Sequence, residues 1–398
     1  MPLTSRPWLW TLVRWRHPLL LTFVLLETWF SRSATDWTLL TGGARSLFGP
    51  MPLSLYETNK YLQAGPPGLL AVRVVDLLPA GWGESVTHIF LAVLGWYLLW
   101  QTERWSVPKA HSGTVPLKTG LRTLALGMPV LQVWAFLAGG APHLEDGLTL
   151  LTFVLATRAV GQGRSTRAAI VVGLTAAWKP WGVVALPLLW GLHDKRRALF
   201  IGLAIPAACW LPFLLADQST LHAVSYGFPL QPNSTLRVLG LGASHVPPWW
   251  RSVELAGALC AASVAAVRGS WRVAFAAGCT ARLLLDPGGF DYYVAGLILV
   301  TALTERMAGL RPWRTILLIL TMVQAQLFLE PGAMAPLRFF GLAIVLVSWL
   351  HPWRRPRSRF TGPKTGVQLV TDWVPAQSSR ELLPVHDTIL VNRQQASS

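Results

Sequence analysis

A few charged residues at the edges of apolar runs carry most of the chemistry this sequence can offer. Asp36 stands in Ser33-Ala34-Thr35-Asp36-Trp37, just beyond the first apolar run. It reads either as an ordinary loop aspartate or as a general base at a membrane surface. Sugar transfer to a hydroxyl, for instance, needs one carboxylate to take the acceptor proton, and burial against a membrane would help tune its pKa. Pro142-His143-Leu144-Glu145-Asp146 sets two carboxylates and a histidine in a short turn between two apolar runs. The pair could bind a metal, orient a sugar hydroxyl or cap a helix, since acidic side chains favour helix N-termini.

Lys179 lies between two apolar runs, in Trp178-Lys179-Pro180-Trp181. A lysine is costly in hydrocarbon, so it calls for a cavity or a partner, and an anionic phosphate is a natural one. Snorkelling to an interface is the alternative. Arg282 sits just inside a later apolar run, followed by Asp286, Tyr292 and Tyr293. That stretch reads as an internal ion pair, or as a second phosphate contact and substrate cradle. Tryptophan is abundant, at 21 residues, and many should be interfacial anchors. The outer ones, Trp37, Trp249 and Trp250, could stack on sugar faces.

Composition says what kind of element must position these residues. Of 398 residues, 52% are hydrophobic and 13% charged. A soluble domain carries roughly 25% charged residues, and a disordered chain needs low hydrophobicity and high charge. Both classes are excluded in favour of a polytopic membrane protein. The net charge of +16 raises nucleic acid as a partner. The basic residues, however, cluster between apolar runs, as at Arg14 and Arg16, Arg164 and Arg167, and Lys195 to Arg197. That is the positive-inside pattern, so no nucleic-acid partner is expected. The cysteines, Cys209, Cys260 and Cys279, lie in apolar runs without metal-ligand spacing and suggest no disulfide framework.

The apolar runs predict an all-α polytopic fold with about ten spanning helices, at 18–30, 86–101, 119–140, 147–160, 198–216, 253–267, 273–285, 290–304, 315–330 and 335–350. The first follows an arginine-bearing stretch but has no small-residue cleavage site, so it reads as an uncleaved helix. Residues 66–79 open on Pro66-Pro67 and carry Arg73 and Asp76. They read as an interfacial helix on the outer face. Residues 168–192 have basic flanks on both sides and an interruption at Lys179-Pro180. Proline resists a helix interior, so this segment reads as a hairpin of two short helices with its apex at Lys179. Both termini are then expected on the cytoplasmic side of a cell membrane. The transmembrane domain is expected over 1–350. The polar, basic tail 351–398 is expected to be disordered, with arginines that could touch anionic lipid.

The order of these features resembles the GT-C superfamily of membrane glycosyltransferases, and within it the bacterial polyprenol-phosphate-mannose-dependent mannosyltransferases. The features are an aspartate directly after the first helix, an outer helix opening on a proline pair, an acidic outer turn and a Lys-Pro hairpin. Residues 142–146, Gly173 to Trp181 and Arg282 to Tyr293 carry most of it, within about residues 15–350. A second acidic residue and a tyrosine close to the aspartate, found in many members, are missing here; Tyr56 comes much later. The resemblance implies a polyprenyl-phosphate donor of mannose or another hexose or pentose, a glycan or glycolipid acceptor, and inversion at the sugar carbon. Asp36 matches the catalytic aspartate. Lys179, with Arg282, would neutralise the phosphate, and His143, Glu145, Asp146, Asp286 and Tyr292 would bind substrate. No cofactor follows from the residues, and a divalent metal stays open. No Gly-rich nucleotide loop is visible, which suits a lipid donor. A multi-span transporter or lipid flippase explains the spans and intramembrane charges equally well, but the carboxylate-bearing outer loops less easily. The two similar halves frequent in transporters are not seen. A non-catalytic scaffold would leave Lys179 without a role.

Overall fold

Proline at the start, rather than a capping side chain, opens several of the helices. Its missing N–H is one that a first turn leaves unpaired anyway. Helices at Pro66–Asp76 and Pro331–Leu350 begin this way; helix α1 is described over Pro7–Phe30. The described part of α1 reaches well before the apolar run at 18–30, and Arg16 within it pairs with Glu103 at 3.1 Å. In the computed structural model, residues 7–351 are described apart from 34, 60, 80, 107–114, 222–228, 242–244, 248, 269, 289 and 290. The predicted disordered tail, beyond residue 351, lies outside the described residues. The described residues all fall in one unit, Met1–Gly362.

After α1 come α2 (Thr35–Ser46), the single turn α3 (Leu55–Thr58), α4 (Pro66–Asp76), α5 (Trp82–Ser106) and α6 (Leu117–Ala135), which runs on through a π turn to Gly140. Next are α7 (Leu144–Gly161), α8 (Ser165–Trp178), a 3-10 run at Pro180–Gly191, and α9 (Lys195–Ala216). The series closes with α10 (Trp250–Arg268), α11 (Trp271–Leu284), α12 (Asp291–Met307), α13 (Trp313–Leu318) and α14 (Pro331–Leu350). No strand occurs among the described residues beyond an isolated bridge between Pro229 and His245. Four helices there are long and apolar enough to cross a membrane: Leu117–Gly140, Lys195–Ala216, Trp250–Arg268 and Pro331–Leu350. The other apolar runs also form helices, but shorter or more charged ones. The run at 315–330 departs most from expectation: α13 gives way to a π turn at Ile319–Val323 and a 3-10 turn at Gln324–Leu327.

The segment 168–192 is a hairpin, as the sequence predicts, with one difference. Its second arm is a twelve-residue 3-10 run rather than an α-helix. Such runs seldom exceed three or four residues. Here close packing accompanies the tighter winding: a Cβ on Gly182 would sit 2.0 Å from the Thr175 carbonyl oxygen. Gly173 faces Ile205 and Gly202 faces the Ala169 carbonyl, so α8 and α9 run in the same direction. The chain between them must therefore return, and Pro180–Gly191 is that return.

Two buried clusters follow from this arrangement. The larger gathers residues of α1, α5 to α12, α14 and the 3-10 run around Trp134, Phe153, Phe275 and Trp349. The smaller joins α2, α3 and α4 to Leu144 and Phe213, forming a cap over one end of the bundle. Arg45 of α2 reaches Asp76 of α4 at 2.7 Å, and Arg73 pairs with the same carboxylate, so these charges pair within the cap. Trp37 is buried in it, and the Trp250 indole donates to the Leu285 carbonyl at 2.8 Å. Both are structural anchors rather than open sugar platforms, whereas Trp249 is exposed.

Candidate functional site

The apex of the hairpin forms because Pro180 disfavours a helical Lys179 before it. Lys179 is extended, with φ −144° and ψ 142°, and its carbonyl accepts from Gly182 N at 2.9 Å. The end of α8 is then sealed by the start of α4. Gly65 N donates to the Trp178 carbonyl at 2.7 Å, and a Cβ on Gly65 would lie 1.9 Å from the Ala177 carbonyl oxygen. Only glycine allows that approach. Opposite, α7 opens with His143 at its N-cap and Glu145 and Asp146 in its first turn.

These elements bring five predicted residues into one chain of contacts. Asp36 Oδ2 lies 3.3 Å from His143 Nε2, and His143 Nδ1 donates to Glu145 Oε1 at 2.8 Å. Lys179 Nζ is 3.2 Å from the same Glu145 oxygen and 2.7 Å from Asp146 Oδ2. Lys179, Glu145 and Asp146 are buried, while Asp36 keeps about a third of its side chain exposed. Tyr292 packs over His143 with ring centroids 4.7 Å apart.

A second cluster adjoins the first. Arg282 contacts Glu254 Oε1 at 3.0 Å and Asp286 Oδ2 at 3.2 Å, and Arg251 contacts both carboxylates in turn. The Arg282 guanidinium stands 4.3 Å from the Tyr293 ring centroid and 5.5 Å from that of Trp181. Tyr293 donates to Gln63 at 3.2 Å. The two clusters meet at a small cavity of about 30 Å³ lined by Asp146, Trp181, Arg282, Tyr292 and Tyr293. It has room for a water or two.

Every residue singled out for chemistry in the sequence is therefore at one end of the bundle. Lys179 and Arg282 are each held by two carboxylates: Arg282 makes the internal ion pair with Asp286 that the sequence offered as one reading, whereas the pairing of Lys179 with Glu145 and Asp146 was not expected. Sequence reasoning missed Arg251, Glu254, Gln63 and the role of Tyr293. The only signal for Glu254 was a lone carboxylate in the apolar run at 253–267.

His143, Glu145 and Asp146 also offer ligand atoms within 4.8 Å of one another, the usual makings of a metal site. The Lys179 ammonium already stands against both carboxylates, and a divalent ion beside it would meet like charge. The geometry favours the ammonium as the cation of this set.

Asp36 and His143 shift one another. The His143 ring beside it, against the opposing effect of burial, holds the Asp36 carboxyl below its ordinary value. Burial and Lys179 disfavour the charged His143, yet Glu145 and Asp36 outweigh them and push its pKa from 6.5 up to about 9. A raised folded-state pKa means stability that is fully present below 6.5 and lost as pH rises through about 9. The thermal midpoint of the purified protein should fall over that window, and His143→Gln should flatten the fall. Identical wild-type midpoints at the two ends would contradict the contacts of His143 with Asp36 and Glu145.

Compared with protein-family models, with curated proteins and with solved structures, the chain matches none.

Proposed function

We propose that the protein is a multi-pass membrane glycosyltransferase that moves a sugar from a polyprenyl-phosphate donor to a hydroxyl of a glycan or glycolipid at the outer face. The observation that carries this reading is the linkage of Asp36, from the segment after α1, through His143 and Glu145 to the buried Lys179 of the hairpin apex. A partly exposed carboxylate is thus connected, through two intervening side chains, to a buried cation, and proton removal and phosphate departure call for one group of each kind.

In this reading the acceptor hydroxyl attacks the anomeric carbon while Asp36 takes its proton. The bond from that carbon to the phosphate oxygen breaks on the opposite face, inverting the centre. The phosphate leaves with both electrons of that bond, and Lys179 and Arg282 offset its charge. Arg282 lines the cavity, and its contacts to Glu254 and Asp286 use two of the five N–H donors of a guanidinium. One Asp146 oxygen is buried without a hydrogen-bond partner, so it can accept from a sugar hydroxyl. Because the cavity holds only a water or two, side chains that line it must move to admit the donor.

The same reading has about ten spans, with the cap on the outer side. It places both flanks of the hairpin in the cytoplasm. Single cysteines at Gln162 and His193 should both be labelled from the inside; labelling from opposite faces would remove the hairpin. The activity itself is tested with protein reconstituted in liposomes, a synthetic polyprenyl-phosphate mannose and a panel of glycolipid acceptors. Formation of a product one hexose heavier is expected. Solute or lipid movement with no sugar transferred would instead favour a transporter or flippase.

A further inference from the structure

A second cationic cavity lies at the far end of the bundle. It is bounded by α5, α6, α12 and the start of α13, and measures about 290 Å³. Arg122, Arg306, Thr119 and Thr123 line its polar part, and Leu126 and Val130 its apolar part. The C-terminal extension of α6 leads to the candidate active site, where Ser33 N donates to Gly139 O. From Thr123 to Gly140 a helix rises about 25 Å, so the two sites are separate.

The charges around this cavity do not balance. Glu103 is shared by Arg16 at 3.1 Å, His17 at 3.0 Å and Arg306 at 3.4 Å. Glu305 turns both oxygens toward α13, accepting from Arg314 N and from Thr315 Oγ1, and pairs with Arg314. Arg122 is exposed and has no ion-pair or hydrogen-bond partner among the described residues. Among the described residues, Arg16, Arg122, Arg306 and Arg314 thus stand around Glu103 and Glu305, an excess of two positive charges. Arg306 is also held in place, donating to Thr123 Oγ1 at 2.8 Å.

We propose that this cavity binds a phosphate group, with Arg122 and Arg306 as its charged donors and Thr119 and Thr123 as its hydroxyl partners. Guanidinium groups match phosphate geometry, and such charge-assisted bonds are stronger than neutral ones. The apolar wall at Leu126 and Val130 fits the first methylenes of an acyl chain. An anionic phospholipid satisfies both halves, and basic pockets between helices on the cytoplasmic side bind such headgroups. The sequence gathers Arg14, Arg16, Arg104, Arg311 and Arg314 toward this end, the cytoplasmic one by the positive-inside pattern.

The test uses the purified full-length protein in neutral detergent. Equilibrium binding is measured for phosphatidic acid, for phosphatidylcholine with the same chains, and for inorganic phosphate in competition. Phosphatidic acid should bind at least about tenfold more tightly than phosphatidylcholine, and Arg122→Gln should remove about tenfold, the effect of losing one charge-assisted bond. Arg306→Lys keeps the charge but loses the planar fork, and should retain only part of the affinity. Leu126→Trp narrows the apolar wall and should weaken the lipid alone. If inorganic phosphate binds as tightly as the lipid and Leu126→Trp changes nothing, the phosphate site stands with a soluble source. Equal binding of the two lipids overturns the proposal. So does unchanged affinity in Arg122→Gln with an unchanged melting midpoint.

Discussion

Asp36→Asn should abolish sugar transfer while leaving the protein folded. The amide keeps the size of the carboxylate and still offers an oxygen to His143, whose Nε2 lies 3.3 Å away. What it loses is the ability to accept the acceptor proton. General-base catalysis contributes roughly 10²–10⁴-fold, and the variant should lose a factor in that range. Stability should change little, because Asp36 is a third exposed and exposed pairs contribute about 0–1 kcal/mol. The measurement is product formation in liposomes, at matched protein content and with an unchanged melting midpoint. Activity above about a tenth of wild type would exclude Asp36 as the general base.

Lys179→Met should have the largest effect on the fold as well as on activity. The ammonium is buried between Glu145 and Asp146, so methionine fills similar space but leaves two carboxylates facing each other without it. Breaking a buried pair by removing one partner costs roughly 3–5 kcal/mol. A melting midpoint equal to wild type would contradict the observed pairing. The catalytic role needs a second comparison, because a misfolded variant is inactive for trivial reasons. Asp146→Asn combined with Lys179→Met removes a charge with its partner, and Glu145 keeps His143 at 2.8 Å. The double variant should recover much of the lost stability. Its transfer rate should still fall about a hundredfold below that of Asp146→Asn alone, the usual loss when one stabilising charge or donor is removed from a transition state. Equal rates in those two variants would leave Lys179 a structural residue and remove it from the phosphate site.

Much of this architecture was legible along the chain, because local pattern and local structure share a cause. Apolar runs form helices, and Pro180 disfavours a helical Lys179 at the end of α8, although Pro18, Pro129, Pro206, Pro212 and Pro336 are carried inside helices. Gly65 followed by a proline pair opens α4 in the same way. The same local logic marked Asp36, His143, Lys179 and Arg282, since a charge at the edge of an apolar run must be solvated, paired or used. Where the expected helix at 315–330 broke into π and 3-10 turns, no residue in the run announced it. The change occurs where Thr321 is pressed against Gly341 of α14, a neighbour supplied only by packing. The pairing of the charges was equally hidden. Lys179 meets Glu145 and Asp146 from 33 residues away or more, and Gln63 meets Tyr293 across 230. Sequence pattern determined which segments are helical and which residues are too costly to leave alone. Only the tertiary structure decided which carboxylate faces which cation, because that depends on how each helix is rotated and how helices cross, and those angles are set by side chains packed from distant parts of the chain.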